Sequence, residues 1–196
     1  GVGAEVIFGR DIVEEHMDAC IAAGLHLAGI NAEVMLGQWE FQIGPVVTPL
    51  VADELWIARW LLSRIAEDHG VTVSLAAKPV QGDWNGAGAH TNFSTKAMRD
   101  NYQPCVDAAE ALSKTHDLHV ANYGNGIEER LTGLHETASY KDFSYGVSDR
   151  GASVRIPWQV ARDGKGYIED RRPNANMDPY TVTRLIVDTV CSRIKA

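Results

Sequence analysis

Stretches with helical periodicity alternate along this chain with short stretches of strand-forming residues, and neither an internal repeat nor a low-complexity linker interrupts them. Apolar residues at helical spacing predict helices over residues 11–28, from about 53 to 70, over 106–118 and from 179 to about 193. Strands are predicted within 31–44, 71–76, 88–95, 152–156 and 167–171. This order predicts one mixed α+β unit.

Glycines and a carboxylate mark where the predicted elements begin and end. Gly37 predicts a bulge or a tight connection inside 31–44, and Asp53 or a neighbour is expected to cap the helix that Gly70 ends. Residues 163–166 predict a hairpin-like turn between the last two strands. Residues 122–137 are poor in apolar residues and rich in glycine, which is typical of a functional loop.

Composition excludes several classes of protein. A hydrophobic share of 45% is enough for a packed core, and the net charge of −8 without a basic run argues against nucleic acid or an anionic membrane as partner. The three cysteines are widely spaced, which favours a reducing compartment over a disulfide framework. The most apolar run, 21–30, is too short to cross a bilayer. Because the chain opens on Gly1, we expect a processed or truncated product.

Polar residues recur at every second position in two of the predicted strands. His90, Asn92 and Ser94 would share one strand face, because side chains alternate between the two faces of a sheet. The same spacing places Tyr167, Glu169 and Arg171 together. Such rows either line a site or face solvent, and the spacing alone leaves both interpretations open.

Glu33 and Glu40 are candidate metal ligands. Their odd separation would place them on opposite faces of one regular strand, and one inserted residue at Gly37 would restore a common face. Two such carboxylates together with Glu169 and His90 would form an oxygen-rich set that suits Mg²⁺ or Mn²⁺ rather than zinc. The alternative is that these glutamates form surface salt bridges.

Arginines crowd the last third of this acidic chain, among them those at positions 130, 150, 155, 171 and 172. Guanidinium groups suit the capture of carboxylates and phosphates, although any single arginine is as well explained by a surface ion pair. No glycine-rich phosphate-binding motif is present, so a nucleotide would have to be held by metal and arginines. The glycine-rich residues 82–88 could bind an anion through their backbone N–H groups, or they could be a plain surface turn. The pair His135-Glu136 could be an acid/base element on a mobile lid, or simply polar loop residues.

Six segments in order resemble the glutamine synthetase family in its eukaryotic-type branch: 31–34, 38–45, 85–95, 130–137, 152–157 and 169–173. The resemblance implies a glutamine synthetase/guanido kinase-like α+β fold, with a curved, mainly antiparallel sheet flanked by helices. It also implies that residues 1–196 are a catalytic domain lacking an N-terminal β-grasp domain and a Glu-x-Glu strand that completes the metal shells. We therefore expect a C-terminal catalytic fragment, which can be inactive by itself.

The activity implied by the resemblance is ATP-dependent ligation of ammonia to L-glutamate through γ-glutamyl phosphate, giving L-glutamine, ADP and phosphate. The implied metal ligands, for Mg²⁺ or Mn²⁺, are Glu33, Glu40, His90 and Glu169. The implied catalytic residues are Glu136 on a flap and the arginines Arg150 and Arg155.

Substrate contacts are implied by the same resemblance. The ATP-binding positions are Glu40, Asn92, Phe93, Ser94, Arg150, Arg155 and Tyr167. The glutamate-binding positions are Trp84, Asn85, Gly86, Arg130, Arg150 and Arg171. Asp83 departs from the family, since many relatives have Asn there, and this puts one glutamate contact in question.

The family resemblance further implies a homo-oligomeric double ring for the full-length protein, in the cytoplasm or a plastid. Two alternatives remain open from the sequence. One is a related ligase that joins glutamate to another amine, and the other is a structural or regulatory relative that has lost the chemistry. Retention of every motif residue argues against the second alternative.

Overall fold

The computed structural model describes residues 7–191 as a mixture of helices and two small sheets. In chain order the elements are α1 (Arg10–Ala22), β1 (Leu27–Ala32), β2 (Trp39–Ile43), α2 (Leu50–Asp68), β3 (Thr91–Phe93), α3 (Lys96–Asp100), α4 (Gln103–Lys114), α5 (His116–Val120), α6 (Ile127–Arg130), β4 (Tyr145–Val147), β5 (Val154–Ile156), α7 (Trp158–Asp163), β6 (Ile168–Asp170) and α8 (Pro179–Cys191). None of the helices within residues 7–191 is long and apolar enough to cross a membrane. The predicted α+β class is confirmed.

The chain divides into two compact units, Gly1–Ser74 and Leu75–Ala196. In the first unit α1 packs against α2, and β1 and β2 form an antiparallel hairpin that contacts both helices. The hairpin closes through residues 33–38, where Gly37 takes the left-handed conformation with φ of 76°. This tight turn places Asn31 directly opposite Glu40.

The second unit is built on a four-stranded sheet in the order β3-β6-β5-β4. Neighbouring strands in this sheet are antiparallel except for the parallel pair β4 and β5, so the sheet is mainly antiparallel. The hydrophobic core lies between this sheet and its helices and contains Met98, Cys105, Ala108, Ala109, Leu112, Val154, Ile156, Val160 and Ile168. β6 is central, with β3 on one side and β5 on the other, and it is buried along its whole length.

Three helix predictions are corrected by the structure. The first helix ends at Ala22, because left-handed Gly24 stops it and Leu27 already pairs in β1. The second begins at Leu50 after Pro49, so Asp53 lies in its first turn instead of capping it. The stretch 106–118 is two helices, α4 and α5, since the residue at 115 leaves helical geometry with φ of −116° and ψ of 18°.

Several predictions about strands and loops also change. Residues 71–76 belong to neither sheet and instead contain the boundary between the two units. The turn at 163–166 follows helix α7, so β5 and β6 are antiparallel neighbours without a simple hairpin. The loop 122–137 contains the short helix α6, and the 88–95 strand is shortened to β3. The last helix is confirmed as far as Cys191, and its predicted end near 193 lies outside the described residues.

Candidate active site

Strand register brings three predicted site residues into one row in the second unit. Glu169 of β6 lies opposite Asn92 of β3 on one side and opposite Arg155 of β5 on the other. Directly opposite residues in neighbouring strands point to the same face of a sheet. The row therefore consists of an amide, a carboxylate and a guanidinium side by side.

Glu169 is the centre of this row. It is only 4% exposed, and three nitrogen-bearing side chains surround its carboxylate. Its Oε2 lies 2.5 Å from Arg155 Nε, and its Oε1 lies 3.3 Å from both His90 Nδ1 and Arg171 Nη1. Burial raises the pKa of Glu169, but hydrogen bonding to His90 and the charges of Arg171 and Arg155 outweigh it, so the pKa is lowered. The carboxylate is thus held in its charged form.

One oxygen of this carboxylate retains coordinating capacity. Glu169 Oε2 and Arg155 Nε are both buried without a hydrogen-bond partner, although they lie within ion-pair distance. A carboxylate oxygen has several acceptor positions, so Oε2 can still accept a cation. Burial, with the charges of Arg171 and Arg130, lowers the pKa of His90 despite Glu169, and neutral imidazole is the form that binds metals.

Gly88 makes room for two of the site residues. A Cβ atom at this position would lie 2.9 Å from Arg130 Nη1 and 3.3 Å from His90 Nε2. Distances of this size would force the neighbouring groups to move. The glycine therefore allows the imidazole and the guanidinium to approach the same stretch of backbone.

Arg130 is buried and bound mainly to backbone. Its Nε donates to Asn174 Oδ1 at 2.7 Å, and its Nη2 contacts the carbonyl oxygens of Arg171, Arg172 and Pro173 at 3.1, 2.5 and 3.1 Å. Burial and the nearby charge of Arg171 lower its pKa to about 10. The structure thus shows Arg130 fixing the chain after β6, and its predicted contact with glutamate stays a prediction.

The predicted flap residue Glu136 contacts two arginines. Its backbone carbonyl accepts a hydrogen bond from Arg171 Nη2 at 3.3 Å, and its carboxylate lies 3.6 Å from Arg150 Nη1. Glu136 and His135 both have positive φ, 59° and 52°, which is uncommon for residues other than glycine. Arg150 is thus placed beside the flap, whereas Arg155 is placed beside Glu169.

Three consecutive residues predicted to hold glutamate, 84–86, include the closely packed Gly86. A Cβ atom there would overlap the carbonyl oxygen of Ala77 and the side chain of Arg130. Trp84 is fixed by its indole Nε1, which donates to the carbonyl of Val80 at 2.9 Å, and by Lys78, which donates to its carbonyl oxygen. Asn85, between Trp84 and Gly86, is half-buried.

The residues predicted to contact the nucleotide differ in exposure. Asn92 is exposed and Tyr167 is 42% exposed, so both are accessible. The Ser94 hydroxyl accepts a hydrogen bond from Arg99 Nη1 at 2.9 Å. The ring of Phe93 packs against the hydrophobic core, so this residue offers its backbone rather than its side chain to a ligand.

Glu33 and Glu40 come together in the first unit. Asn31 Nδ2 donates to Glu33 Oε1 at 3.3 Å and to Glu40 Oε2 at 3.1 Å. Burial and the carboxylate of Glu40 raise the pKa of Glu33, which shows that the two acidic groups are close. The predicted common face is therefore present, but the β1–β2 hairpin produces it, and no bulge at Gly37 is needed.

Oxygen and imidazole donors are the ligands that Mg²⁺ or Mn²⁺ accept, and the four predicted residues fit such an ion. Within residues 7–191 no group of three or more His, Cys, Asp or Glu side chains could hold a metal. The pair Glu33 and Glu40 belongs to the first unit, and the pair His90 and Glu169 belongs to the second. Their convergence on shared metals stays a prediction.

The side chains that support β6 from its other face were not predicted in that role, and Arg172, a candidate for anion capture in the sequence, is instead buried against Asp170. Asp170, Arg172 and Asn174 are all buried, at 0%, 1% and 0% exposure. The alternation that placed Glu169 and Arg171 together also places Asp170 and Arg172 on the opposite face, so this signal was available for two of the three. No sequence signal indicated Asn174.

Comparison with known proteins agrees with these motifs. The family model for the glutamine synthetase catalytic domain matches residues 4–191. A glutamine synthetase from Streptomyces viridochromogenes is 69% identical over 198 aligned residues, which cover 100% of this chain and 57% of the relative. A nodule isozyme from Lupinus luteus is 57% identical and a cytosolic isozyme from Medicago sativa is 56% identical, each over 191 residues that cover 96% of this chain and 54% of the relative.

The chain belongs to the glutamine synthetase family. The resemblance found in the six sequence segments is thereby confirmed, for bacterial and plant relatives alike. The chain spans a little over half the length of the curated relatives it matches.

Proposed function

We propose that this chain contributes the catalytic domain of a glutamine synthetase, which joins ammonia to L-glutamate at the expense of ATP. The observation that carries the proposal is the buried carboxylate of Glu169, surrounded by His90, Arg155 and Arg171, in a chain of this family. In this proposal the two units act as one domain over residues 1–196, and the segments that precede it in the relatives complete the site.

The proposed chemistry has two steps, and both move negative charge. The γ-carboxylate of glutamate attacks the γ-phosphorus of ATP and releases ADP, which leaves γ-glutamyl phosphate. Ammonia then attacks the acyl carbon and releases phosphate, and the attacking nitrogen loses its extra proton. Cationic groups that face the transferring phosphoryl group stabilise this charge because they are already in position.

Each residue of the site has a proposed part in these steps. Arg155 would bind phosphate oxygens, since its guanidinium is half-buried next to Glu169. Arg150 would bind them from the flap side, where it pairs with Glu136. Arg171, close to Glu169 and to the Glu136 carbonyl, would bind a carboxylate of glutamate. Arg130 and the segment Trp84, Asn85 and Gly86 would help.

Glu136 is proposed to act on ammonia. Its carboxylate is 57% exposed, so it can accept a proton from a bound ammonium ion. A closed flap would also keep water from the acyl phosphate. Asn92, the Phe93 backbone, Ser94 and Tyr167 are the proposed nucleotide contacts, with Glu40.

Mg²⁺ or Mn²⁺ is the proposed metal, held by Glu33, Glu40, His90 and Glu169. The hydrogen-bonded pair of glutamates in the first unit and the open position on Glu169 Oε2 support this assignment. When bound, the metal supplies positive charge to the phosphate oxygens. We also propose a homo-oligomeric ring in the cytoplasm, supported by the family and by the name of the cytosolic isozyme relative.

A chimera tests the proposal. This chain would replace the aligned region of the Streptomyces viridochromogenes relative, and phosphate release from ATP would be measured with Mg²⁺, glutamate and ammonia. We expect release that depends on both substrates, and its loss in Glu169→Gln. The matched control is Glu110→Gln, an exposed glutamate on α4, which should leave the rate unchanged.

Two outcomes would contradict the proposal. A folded chimera without phosphate release in the presence of glutamate and ammonia would favour a relative that has lost the chemistry. Release that requires a different amine would favour a related ligase.

A further inference from the structure

We propose that the buried pair Asp170–Arg172 is a positioning device that fixes Glu169 and Arg171 in the site. The proposal rests on the function proposed above, because it assigns the pair a role through these two site residues. None of the proposed substrate or metal contacts uses Asp170, and Arg172, a candidate for anion capture in the sequence, is not among them either.

Alternation along the chain separates the two pairs. Glu169 and Arg171 lie on one face of β6 and its extension, whereas Asp170 and Arg172 lie on the other. One peptide unit joins Asp170 to Glu169, and another joins it to Arg171. A contact that holds Asp170 in place therefore also restrains the backbone of Glu169 and Arg171.

Asp170 is fully satisfied in a completely buried position. Its Oδ1 accepts from the backbone N–H of Arg172 at 3.1 Å and from Arg172 Nε at 2.8 Å. Its Oδ2 accepts from Arg172 Nη2 at 2.7 Å and from the Tyr123 hydroxyl at 2.8 Å. The two-pronged contact between carboxylate and guanidinium fixes both groups in one plane.

Arg172 is enclosed on its remaining sides. Its guanidinium carbon lies 5.3 Å from the ring centres of both Tyr123 and Phe143. Its Nη1 lies 3.1 Å from His116 Nδ1, and the other ring nitrogen of His116 lies 3.0 Å from the carbonyl oxygen of Tyr140. The arginine is therefore held by aromatic rings and an imidazole from outside β6.

The network continues to the last helix. Tyr123 Oη is 2.5 Å from His119 Nδ1, and His119 Nε2 is 2.8 Å from Thr189 Oγ1 on α8. The centre of the sheet is thus tied through four side chains to a helix about twenty residues further along the chain. A displacement of β6 would break several of these bonds together.

Stability alone does not explain such a pair. Replacing a buried ion pair with well-packed apolar residues is often neutral or stabilising, so the pair is weak evidence for a stabilising role. What the pair supplies is a fixed backbone, which is also held where the Arg171 N–H donates to Ser153 O at 2.9 Å. A site that must hold charged groups in a set geometry requires such a support.

Two variants and one control test this role. Asp170→Asn removes the charge at constant volume, and Tyr123→Phe removes the hydroxyl with its hydrogen bonds to Asp170 and His119 while keeping the ring. Val160→Ala, in the same unit, weakens the hydrophobic core at an apolar side chain that forms none of the hydrogen bonds of the network. Mn²⁺ affinity, kcat and KM for glutamate would be measured in the chimera, well below the unfolding temperature of each variant.

We expect Asp170→Asn to weaken Mn²⁺ binding about 10- to 100-fold and Tyr123→Phe to weaken it less, because groups that support metal ligands have effects of this size. The KM for glutamate should rise as well, since Arg171 shifts. Val160→Ala should leave both constants unchanged. The proposal would be overturned if the wild type and all folded variants had the same Mn²⁺ affinity, or if Val160→Ala lost as much affinity as the network variants. If Asp170→Asn does not fold, Tyr123→Phe decides the test.

Hydrogen exchange of this chain separates the two proposals. Amides of residues 168–172 should exchange faster in Tyr123→Phe than in Val160→Ala, whatever the activity of the chimera. A wild-type chimera that neither binds Mn²⁺ nor releases phosphate would refute the proposed function, and the exchange rates would still decide whether the network holds β6. Unchanged exchange at 168–172 would overturn the positioning role.

Discussion

Arg130 Nε donates a hydrogen bond of 2.7 Å to Asn174 Oδ1, which joins two buried residues that are far apart in the sequence. Asn174 also donates from Nδ2 to the carbonyl oxygen of Asn125 at 3.0 Å. This amide therefore holds the guanidinium in place and ties it to a second loop. It gives Arg130 a fixed direction next to the predicted glutamate site.

Removing the Asn174 amide should destabilise the second unit. Asn174→Ala leaves Arg130 Nε without its acceptor in a buried place, which costs about 1–3 kcal/mol in the free energy of unfolding. Asn122→Ala is the matched control, because the exposed Asn122 amide donates to the Leu118 carbonyl one helical turn before it. Urea denaturation measures the free energy of unfolding of both variants and of the wild-type chain. An equal loss of stability in the two variants would contradict the prediction.

Adding a methyl group at Gly88 should impair catalysis. The new Cβ of Gly88→Ala would press on Arg130 Nη1 and His90 Nε2, and displacements of active-site groups can cost about 10- to 100-fold in rate. Gly29→Ala is the matched control, because no atom lies within 4 Å of a Cβ at Gly29. We expect kcat/KM of the chimera to fall in the first variant only, and full activity of Gly88→Ala would contradict the close approach.

Removing the Glu136 carboxylate should separate nucleotide binding from product formation. Glu136→Ala is expected to keep the affinity for ATP, since the carboxylate pairs with Arg150 on the flap, and to impair glutamine formation. Isothermal titration with ATP and a glutamine assay on the chimera measure the two effects. Loss of ATP binding would instead place Glu136 in the nucleotide site.

Buried histidines should make the fold sensitive to mild acid. Burial lowers the pKa of His119 to about 4, with Arg172 and His116 lowering it further and Asp170 opposing them. The unfolded chain binds the proton near pH 6.5 and the folded chain near pH 4, so stability falls as the pH decreases between these values. The loss is about 3 kcal/mol for this group, and His16, whose pKa burial also lowers, adds to it in the same direction.

The free energy of unfolding measured by urea at several pH values between 4 and 7 tests this dependence. His119→Asn should flatten the slope, because the residue that takes up the proton on unfolding is gone. His69→Asn is the control, since His69 pairs with Glu15 at the surface of the first unit. A slope that is the same in His119→Asn and the wild type would refute the assignment.

Much of the site could be predicted because it depends on local rules. Alternation along a strand is a property of consecutive residues, so the shared face of Glu169 and Arg171 followed from spacing, whereas the approach of His90 to Glu169 was only a hypothesis that the structure bears out. The proximity of Glu33 and Glu40 was also predicted, but from a bulge at Gly37, whereas the β1–β2 hairpin produces it. A glycine between two strand-forming stretches is typical of both a bulge and a hairpin turn.

The boundaries of helices and strands were predicted less well where pairing with a neighbouring strand determines them. The first helix was extended through Leu27, whose apolar side chain fits a helix and a strand equally, and only pairing with Ile43 settles the choice. The short strand β4 was missed for the same reason, since three residues form a strand there only because β5 lies beside them.

Motifs and side-chain alternation are written in consecutive positions, so the family, the α+β class and the candidate site residues could be read from the chain alone. Which arginines are buried, and what they hold, was visible only in the folded molecule. Arg172 and Arg130 looked alike in the sequence, yet one is enclosed by Asp170 and aromatic rings and the other binds the carbonyls that follow β6. Burial depends on partners that are distant along the chain, and folding alone brings those partners together.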